Sequence, residues 1–240
     1  MTSRSAPRIL IVTPTYNERE NIERFVKALF AVLPQANLLI VDDHSPDGTG
    51  MVADRLAASD ERIRVIHRPR KLGLGTAYVM AFLRALDDGY DLLFEMDADL
   101  SHDPAHLPEF LRAFENGADV VIGSRNIRGG GVVGWGPGRH LLSKGGSLYA
   151  RLILGVPIRD LTSGYKGFRA EVLRAIDLPS IRSEGYSFQI ETTYRALKRG
   201  FRVVEVPITF VDRRAGQSKM DSRIFFEAVW MVWKLRISGK

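Results

Sequence analysis

Five short apolar runs, each followed by a helical pattern or a polar turn, organise the first half of the chain. Ile9–Thr13 is rich in β-branched residues and reads as a buried strand. Asn17 then opens a helix with Glu20 as its capping-box partner. Ile22, Phe25, Val26, Leu29, Phe30 and Leu33 form its apolar face, and Pro34 closes it. Further strands are expected at Leu38–Val41, Ile63–Ile66, Leu92–Met96 and Val120–Ile122. Between them lie helices capped by Asp47 and running to about Ala58, over Gly75–Leu86, and from Asp103-Pro104 to about Glu115. Strands separated by helices of this length imply right-handed crossovers and a mostly parallel central sheet flanked by helices, an α/β fold. In such sheets ligands bind outside the carboxyl ends of the strands.

The second half is less regular. Gly129–Gly131 and Gly134–Gly138 mark a loop that reads either as a lid or as a plain flexible connection. Helices are expected over Leu141–Leu154 and Phe188–Lys198, and a strand-like edge over Val203–Phe210. Asp212–Ser222 is a polar basic loop before a last helix carrying Phe225, Phe226, Trp230 and Trp233. That aromatic stripe fits core packing and an interfacial membrane helix equally well. Neither repeats nor an interdomain linker are evident, so residues 1–240 read as a single domain. Its parts are a nucleotide-side half (8–123), an acceptor half (124–222) and a C-terminal amphipathic helix (223–240).

Charge sharpens the division. The first 123 residues hold 13 basic and 19 acidic residues, a net of −6; the remaining 21 basic and 9 acidic residues give +12. A basic half can attract phosphate or an anionic membrane surface, although a solvated basic face explains the count as well. No nucleic-acid-binding motif is present, so nucleic acid is not an expected partner. The absence of cysteine excludes disulfides and thiolate metal sites. The polar N-terminus lacks a signal-type apolar core, which makes a cytoplasmic location the expectation. No stretch reaches the ~20 apolar residues of a membrane span.

Three polar clusters follow three of the strands: Pro14-Thr-Tyr-Asn-Glu18, Asp42-Asp-His-Ser-Pro-Asp47 and Asp97-Ala-Asp99. The first offers an aromatic ring and polar groups suited to a base and ribose. In the second, Asp43 can accept from the ring N–H of a base. The third sets two carboxylates two residues apart in a turn past a buried strand, an oxygen donor set suited to Mg²⁺ or Mn²⁺ holding a diphosphate. Lys71-Leu-Gly-Leu-Gly75 is no dinucleotide fingerprint, lacking the third glycine, and reads as a loop over the nucleotide. His102 fits a turn or capping role better than a metal-supporting one, and His44 and His67 read as structural. Asp160 either lines an acceptor site or only braces Thr162 and Ser163. Of Gln189 and Glu191, one is expected to face the site.

These motifs, together with Gly123-Ser-Arg125, Asp160-Leu-Thr-Ser-Gly164, Gly185-Tyr-Ser-Phe-Gln189 and Val206–Lys219, resemble the inverting family 2 glycosyltransferases, and within them the dolichol-phosphate mannose synthases. The resemblance spans roughly Arg8–Lys219. It implies a GT-A, Rossmann-like nucleotide-binding fold, GDP-mannose as donor and a polyprenyl monophosphate as acceptor. It assigns Pro14, Tyr16, Glu18, Asp43, Lys71, Asp97 and Ala98 to the nucleotide. Asp97 and Asp99 go to the metal, with Ser101 where some relatives carry a glutamine ligand. Arg125, Arg139, Arg213 and Lys219 are left to meet phosphates, and Ser143, Asp160, Ser163 and Gln189 to stand on the acceptor side. It also implies peripheral attachment to the cytoplasmic face of a membrane, with a separate anchoring protein as a candidate partner.

A phosphate monoester is already an anionic nucleophile, so no general base is needed. Arginine forks that offset repulsion between two anions matter more. Two other readings remain open at this point: a family 2 transferase using UDP-glucose or a hydroxyl acceptor, and a non-catalytic nucleotide-binding subunit. A sugar-1-phosphate nucleotidyltransferase fits poorly, because no Gly-rich basic loop follows the first strand.

Overall fold

The computed structural model describes residues 6–212 and 230–237, leaving aside the side chains of 137 and 139–142. Five strands fall where the apolar runs place them: β1 (Ile9–Thr15), β2 (Asn37–Asp42), β3 (Ile63–His67), β4 (Leu92–Glu95) and β5 (Val120–Ser124). Between them run α1 (Ile22–Val32), α2 (Thr49–Ser59), α3 (Leu74–Asp87) and α4 (Leu107–Glu115). Then come β6 (Gly131–Val133), α5 (Pro137–Leu154), β7 (Lys166–Arg169), α6 (Ala170–Ala175), α7 (Gly185–Lys198), β8 (Val203–Pro207) and β9 (Thr209–Val211).

The main sheet has seven strands in the order β3-β2-β1-β4-β7-β5-β8, and β6 pairs with β9 in a separate two-stranded sheet. All pairings are parallel except those of β7, which runs antiparallel between β4 and β5. Alternate residues of the strands feed two cores. Leu10, Val12, Leu93 and Phe168 face α3, α6 and α7; Ile9, Ile11, Leu92 and Phe94 face α1, α2 and α4. β7 slots in because Gly167 leaves room: a Cβ there would meet Phe94 at 2.8 Å and Phe114 at 2.9 Å.

Three local expectations are corrected. The first helix begins at Ile22, not Asn17, which instead adopts a left-handed conformation at φ 59°. The glycine-rich stretch holds strand β6 and the start of α5. The edge over Val203–Phe210 is two strands, β8 and β9, in different sheets.

Candidate active site

Three sharp turns gather at the carboxyl ends of β1, β2 and β4. Each contains a non-glycine residue in the left-handed region: Asn17, His44 and Leu100. For leucine this costs about 1–2 kcal/mol, and such strain concentrates at functional sites. At Leu100 it folds the chain back so that the Ser101 N–H donates to Asp99 Oδ1 at 3.0 Å.

The Asp97–Asp99 turn is braced from beneath. The Asp97 N–H donates to His102 Nδ1 at 3.2 Å. The His102 ring stacks on Tyr165, 5.1 Å between centroids. His102 thus supports the turn. The Asp97 side chain is 39% exposed, whereas Asp99 and Ser101 are buried. Ser101 Oγ is buried without a hydrogen bond among the described residues. Two carboxylates and an unengaged hydroxyl fit a divalent ion that completes its shell with diphosphate oxygens. Among the described residues there is no group of three or more His, Asp or Glu able to hold a metal by itself.

The nucleotide-side residues share this edge. Lys71 Nζ lies 4.3 Å above the Tyr16 ring. Pro14 is in register with Val41 across β1 and β2. The Glu18 N–H donates to Thr49 Oγ1, and its carboxylate accepts from Asn21. Asp43, expected to contact a nucleoside, is buried under the loop over 71–73. Its Oδ2 accepts from the Leu72 and Gly73 N–H groups, and the Arg68 guanidinium lies 2.8 Å from Oδ1. Arg68, itself buried, also donates to the Gly73 carbonyl and to Thr76 Oγ1. From the other half of the chain, Glu184 accepts from the Gly75 and Thr76 N–H groups at the start of α3. Gly73 stands at φ 98°, and a Cβ there would press to 2.6 Å on the Glu184 carboxylate.

On the second side, Arg125 does not reach out as a free cation. Its Nε and Nη2 grip Asp160 at 2.8 and 2.7 Å, and its own N–H donates to Asp160 Oδ2. Burial opposes the charge on Asp160, but the Arg125 guanidinium outweighs it and holds the carboxyl below its ordinary value. The reading of Asp160 as a brace gains from this, and its main partner is Arg125 rather than Ser163. Ser163 Oγ instead donates to the Gly123 carbonyl at 2.6 Å. The Phe210 ring joins the two sides: His102 lies 5.8 Å from its centroid and Arg125 Cζ 5.5 Å. Trp135 packs on Phe210 at 5.2 Å. The brace of the Asp97–Asp99 turn and Arg125 therefore meet one aromatic ring. Ser143 lies on α5. Gln189 is buried on α7, while Glu191 turns to Ser183 and Arg195. The Arg139 side chain and all of Arg213 and Lys219 lie outside the described residues.

Four residues of this site go unread in the sequence: Arg68, Glu184, Glu95 and Lys166. Only Glu95 carried a signal there, as a lone acid inside the apolar Leu92–Met96 run. Its carboxyl is pushed up to about 7 by burial, opposed by the Lys166 ammonium and the Gln189 amide. Burial pulls Lys166 down to about 8, against the pull of Glu95 and Asp160.

A family model for glycosyl transferase family 2 matches residues 10–177. The undecaprenyl-phosphate mannosyltransferase of Micrococcus luteus is 50% identical over 233 residues, 97% of this chain and 96% of that one. The chain belongs to glycosyl transferase family 2. Another relative in this family, the polyprenol monophosphomannose synthase of Mycolicibacterium smegmatis, is 49% identical over 240 residues, all of this chain and 91% of that one. Among solved structures, the mannosyltransferase PcManGT of Pyrobaculum calidifontis in complex with GDP-Man and Mn²⁺ superposes with a TM-score of 0.59. It is 14% identical, over 98% of this chain and 74% of that one. The family 2 chain thus has the GT-A fold: a mostly parallel sheet flanked by helices, with its polar turns at the carboxyl edge.

Proposed function

We propose that this enzyme transfers mannose from GDP-mannose to a polyprenyl monophosphate, inverting the anomeric centre to give a β-linked lipid phosphate. The observation that carries the reading is that His102, which braces the Asp97–Asp99 turn, and Arg125 both pack against the Phe210 ring. Two relatives at about half identity, an undecaprenyl-phosphate mannosyltransferase and a polyprenol monophosphomannose synthase, support the transfer of mannose to a polyprenyl phosphate.

In this reading Asp97 and Asp99, with Ser101, hold Mg²⁺ or Mn²⁺. When bound, the ion supplies charge neutralisation on the departing nucleoside diphosphate. Residues 8–123 bind the nucleotide sugar: Tyr16 and Lys71 flank the base, and Asp43, clamped by Arg68, fixes the loop beside it. Residues 124–222 receive the acceptor. Its phosphate attacks as an anion, so the side chains there hold and orient it, and none has to remove a proton. Arg125, paired with Asp160, shapes that site, and direct cationic contact falls to Arg139, Arg213 and Lys219.

The acceptor is a lipid, and the reading includes peripheral attachment to a membrane surface. Among the described residues no helix is long and apolar enough to cross one. Leu148 and Leu152 on α5, and Trp230, Trp233 and Ile237 in the helical segment 230–237, are nevertheless exposed. Amphipathic surfaces of this kind bind at the lipid headgroup boundary.

Purified protein given GDP-mannose, a short polyprenyl phosphate and Mn²⁺ is expected to form a mannosylated lipid phosphate, and chelation of the metal to stop it. An absence of mannosyl lipid with metal present, or full activity in Asp99→Ala, would overturn the reading. A parallel UDP-glucose arm separates it from a family 2 transferase of different donor.

A further inference from the structure

Glu95 and Lys166 are the two charged residues of the central sheet that are fully shielded from solvent. They stand directly opposite each other in the antiparallel β4–β7 register, so their side chains share a face. That face is the one carrying Leu93 and Phe168 against α3 and α7. The Lys166 ammonium donates to the Gln189 carbonyl on α7 at 2.5 Å. The Glu95 carboxyl, wholly buried, has the Gln189 side-chain amide and the Lys166 ammonium as the groups that favour its charge. Burying a charge among so few partners is costly, so packing alone gives no account of it.

The location supplies one. Glu95 ends the strand whose next turn is Asp97–Asp99. Gln189 approaches the same turn from α7: a Cβ on Gly164 would lie 3.5 Å from His102 and 3.6 Å from the Gln189 amide nitrogen. Asp160, the partner of Arg125, also acts electrostatically on Lys166. One residue further across the sheet, Ile122 of β5 is in register with both Lys166 and Glu205. Glu205 accepts from the Arg159 and Asp160 N–H groups. Buried charges thus alternate from the metal-side turn to the acceptor side: Glu95, Lys166, Asp160, Arg125.

We propose that Lys166 is a positioning residue for sugar transfer: by holding the Gln189 carbonyl and balancing Glu95 and Asp160, it fixes the spacing between the Asp97–Asp99 turn and the Arg125–Asp160 pair. The proposal rests on the transfer reading above. Its consequence falls on the chemical step, because a displacement of about 1 Å between reacting groups can cost about 10²-fold in rate. Nucleotide binding, made by the Asp97–Asp99 turn itself and the loops around Tyr16, Asp43 and Lys71, does not depend on that spacing and is left alone.

The test is the double variant Glu95→Gln with Lys166→Met, which removes both charges together and leaves neither unbalanced. Thermal melting, calorimetric GDP binding with Mn²⁺, and initial rates with donor and acceptor varied are compared with wild type. The expected result is a cooperative melt, GDP affinity within about twofold of wild type and a kcat at least about tenfold lower. A folded double variant with wild-type kcat overturns the proposal, and so does a loss confined to GDP affinity. Should the double variant not fold, Glu95→Leu with Lys166→Met, a fully apolar replacement of the pair, carries the same test with the same outcomes. Wild-type turnover in the assay tests the transfer reading separately. The proposal is read from the ratio of variant to wild type, with whichever nucleotide sugar wild type consumes.

Discussion

Two buried arginine–aspartate pairs flank the site, and they do different work. Arg68 and Asp43 spend their hydrogen bonds on a loop: the Leu72 and Gly73 N–H groups, the Gly73 carbonyl and Thr76. Arg125 and Asp160 spend theirs mainly on each other, through two side-chain bonds and one backbone bond, under the Trp135 and Phe210 rings. The first pair shapes a surface that a ligand can touch. The second welds the end of β5 to the 160s loop. Counting positive charge therefore overstates what is available to an anion: of the six basic residues between Ser124 and Arg159, one is neutralised inside the protein.

If that contrast is right, Arg125→Ala is the most damaging single change. It leaves Asp160, with no exposed surface, without its paired guanidinium, at a cost of about 3–5 kcal/mol. Denaturant unfolding measures it, and Arg125→Met combined with Asp160→Asn should recover most of the loss. A folded, stable Arg125→Ala protein that has lost only acceptor affinity would break the comparison, because Arg125 would then be a phosphate contact after all.

What the sequence made legible followed from periodicity. The five parallel strands and their crossover helices each bury a continuous apolar run or one apolar stripe, and both patterns survive translation into structure. Strand β7 did not, because Lys166-Gly-Phe-Arg169 has neither an apolar run nor clean alternation; a buried lysine and a glycine replace the usual signal. The start of α1 was misread for a related reason. Asn17 and Glu20 have capping-box spacing, but the N–H groups of Asn17, Glu18 and Arg19 go to Ser45, Thr49 and Asp47 across the neighbouring turn. Tertiary hydrogen bonds won over the local cap. The aspartate turn was visible because its two carboxylates stand two residues apart in one short turn, a donor pattern that sequence alone displays. The clamps on the neighbouring 71–76 loop were not: Arg68 ties it to the Asp43 carboxylate from another strand end, and Glu184 reaches the start of α3 from the other half of the chain, contacts that no local pattern announces.

Arg68→Met gives the middle-sized effect and sharpens the contrast. Asp43 keeps its two loop N–H groups, so the stability loss is smaller, about 1–3 kcal/mol for a buried charged partner removed. Function should suffer where the first variant's does not: GDP affinity is expected to fall about tenfold, equivalent to about 1.4 kcal/mol, by calorimetry on folded protein. Unchanged GDP binding would mean that the loop over 71–73 is not part of the nucleotide site.

The smallest effect tests which side of Tyr16 the nucleotide uses. Lys71 is exposed, with its ammonium 4.3 Å above the ring, and no buried group depends on it, so Lys71→Met should leave the melting temperature unmoved. A cation over a ring face contributes about 0.5–1 kcal/mol at an exposed site. If Lys71 and Tyr16 grip the nucleotide together, losing the cation lowers GDP affinity by about two- to fivefold, the same energy expressed as a ratio. A rise in affinity would carry the opposite message: Lys71 then covers the face that the base needs and must be displaced on binding. The loop held by Arg68 and Asp43 would in that case be clamped in a closed position, and its brace would oppose nucleotide entry instead of assisting it.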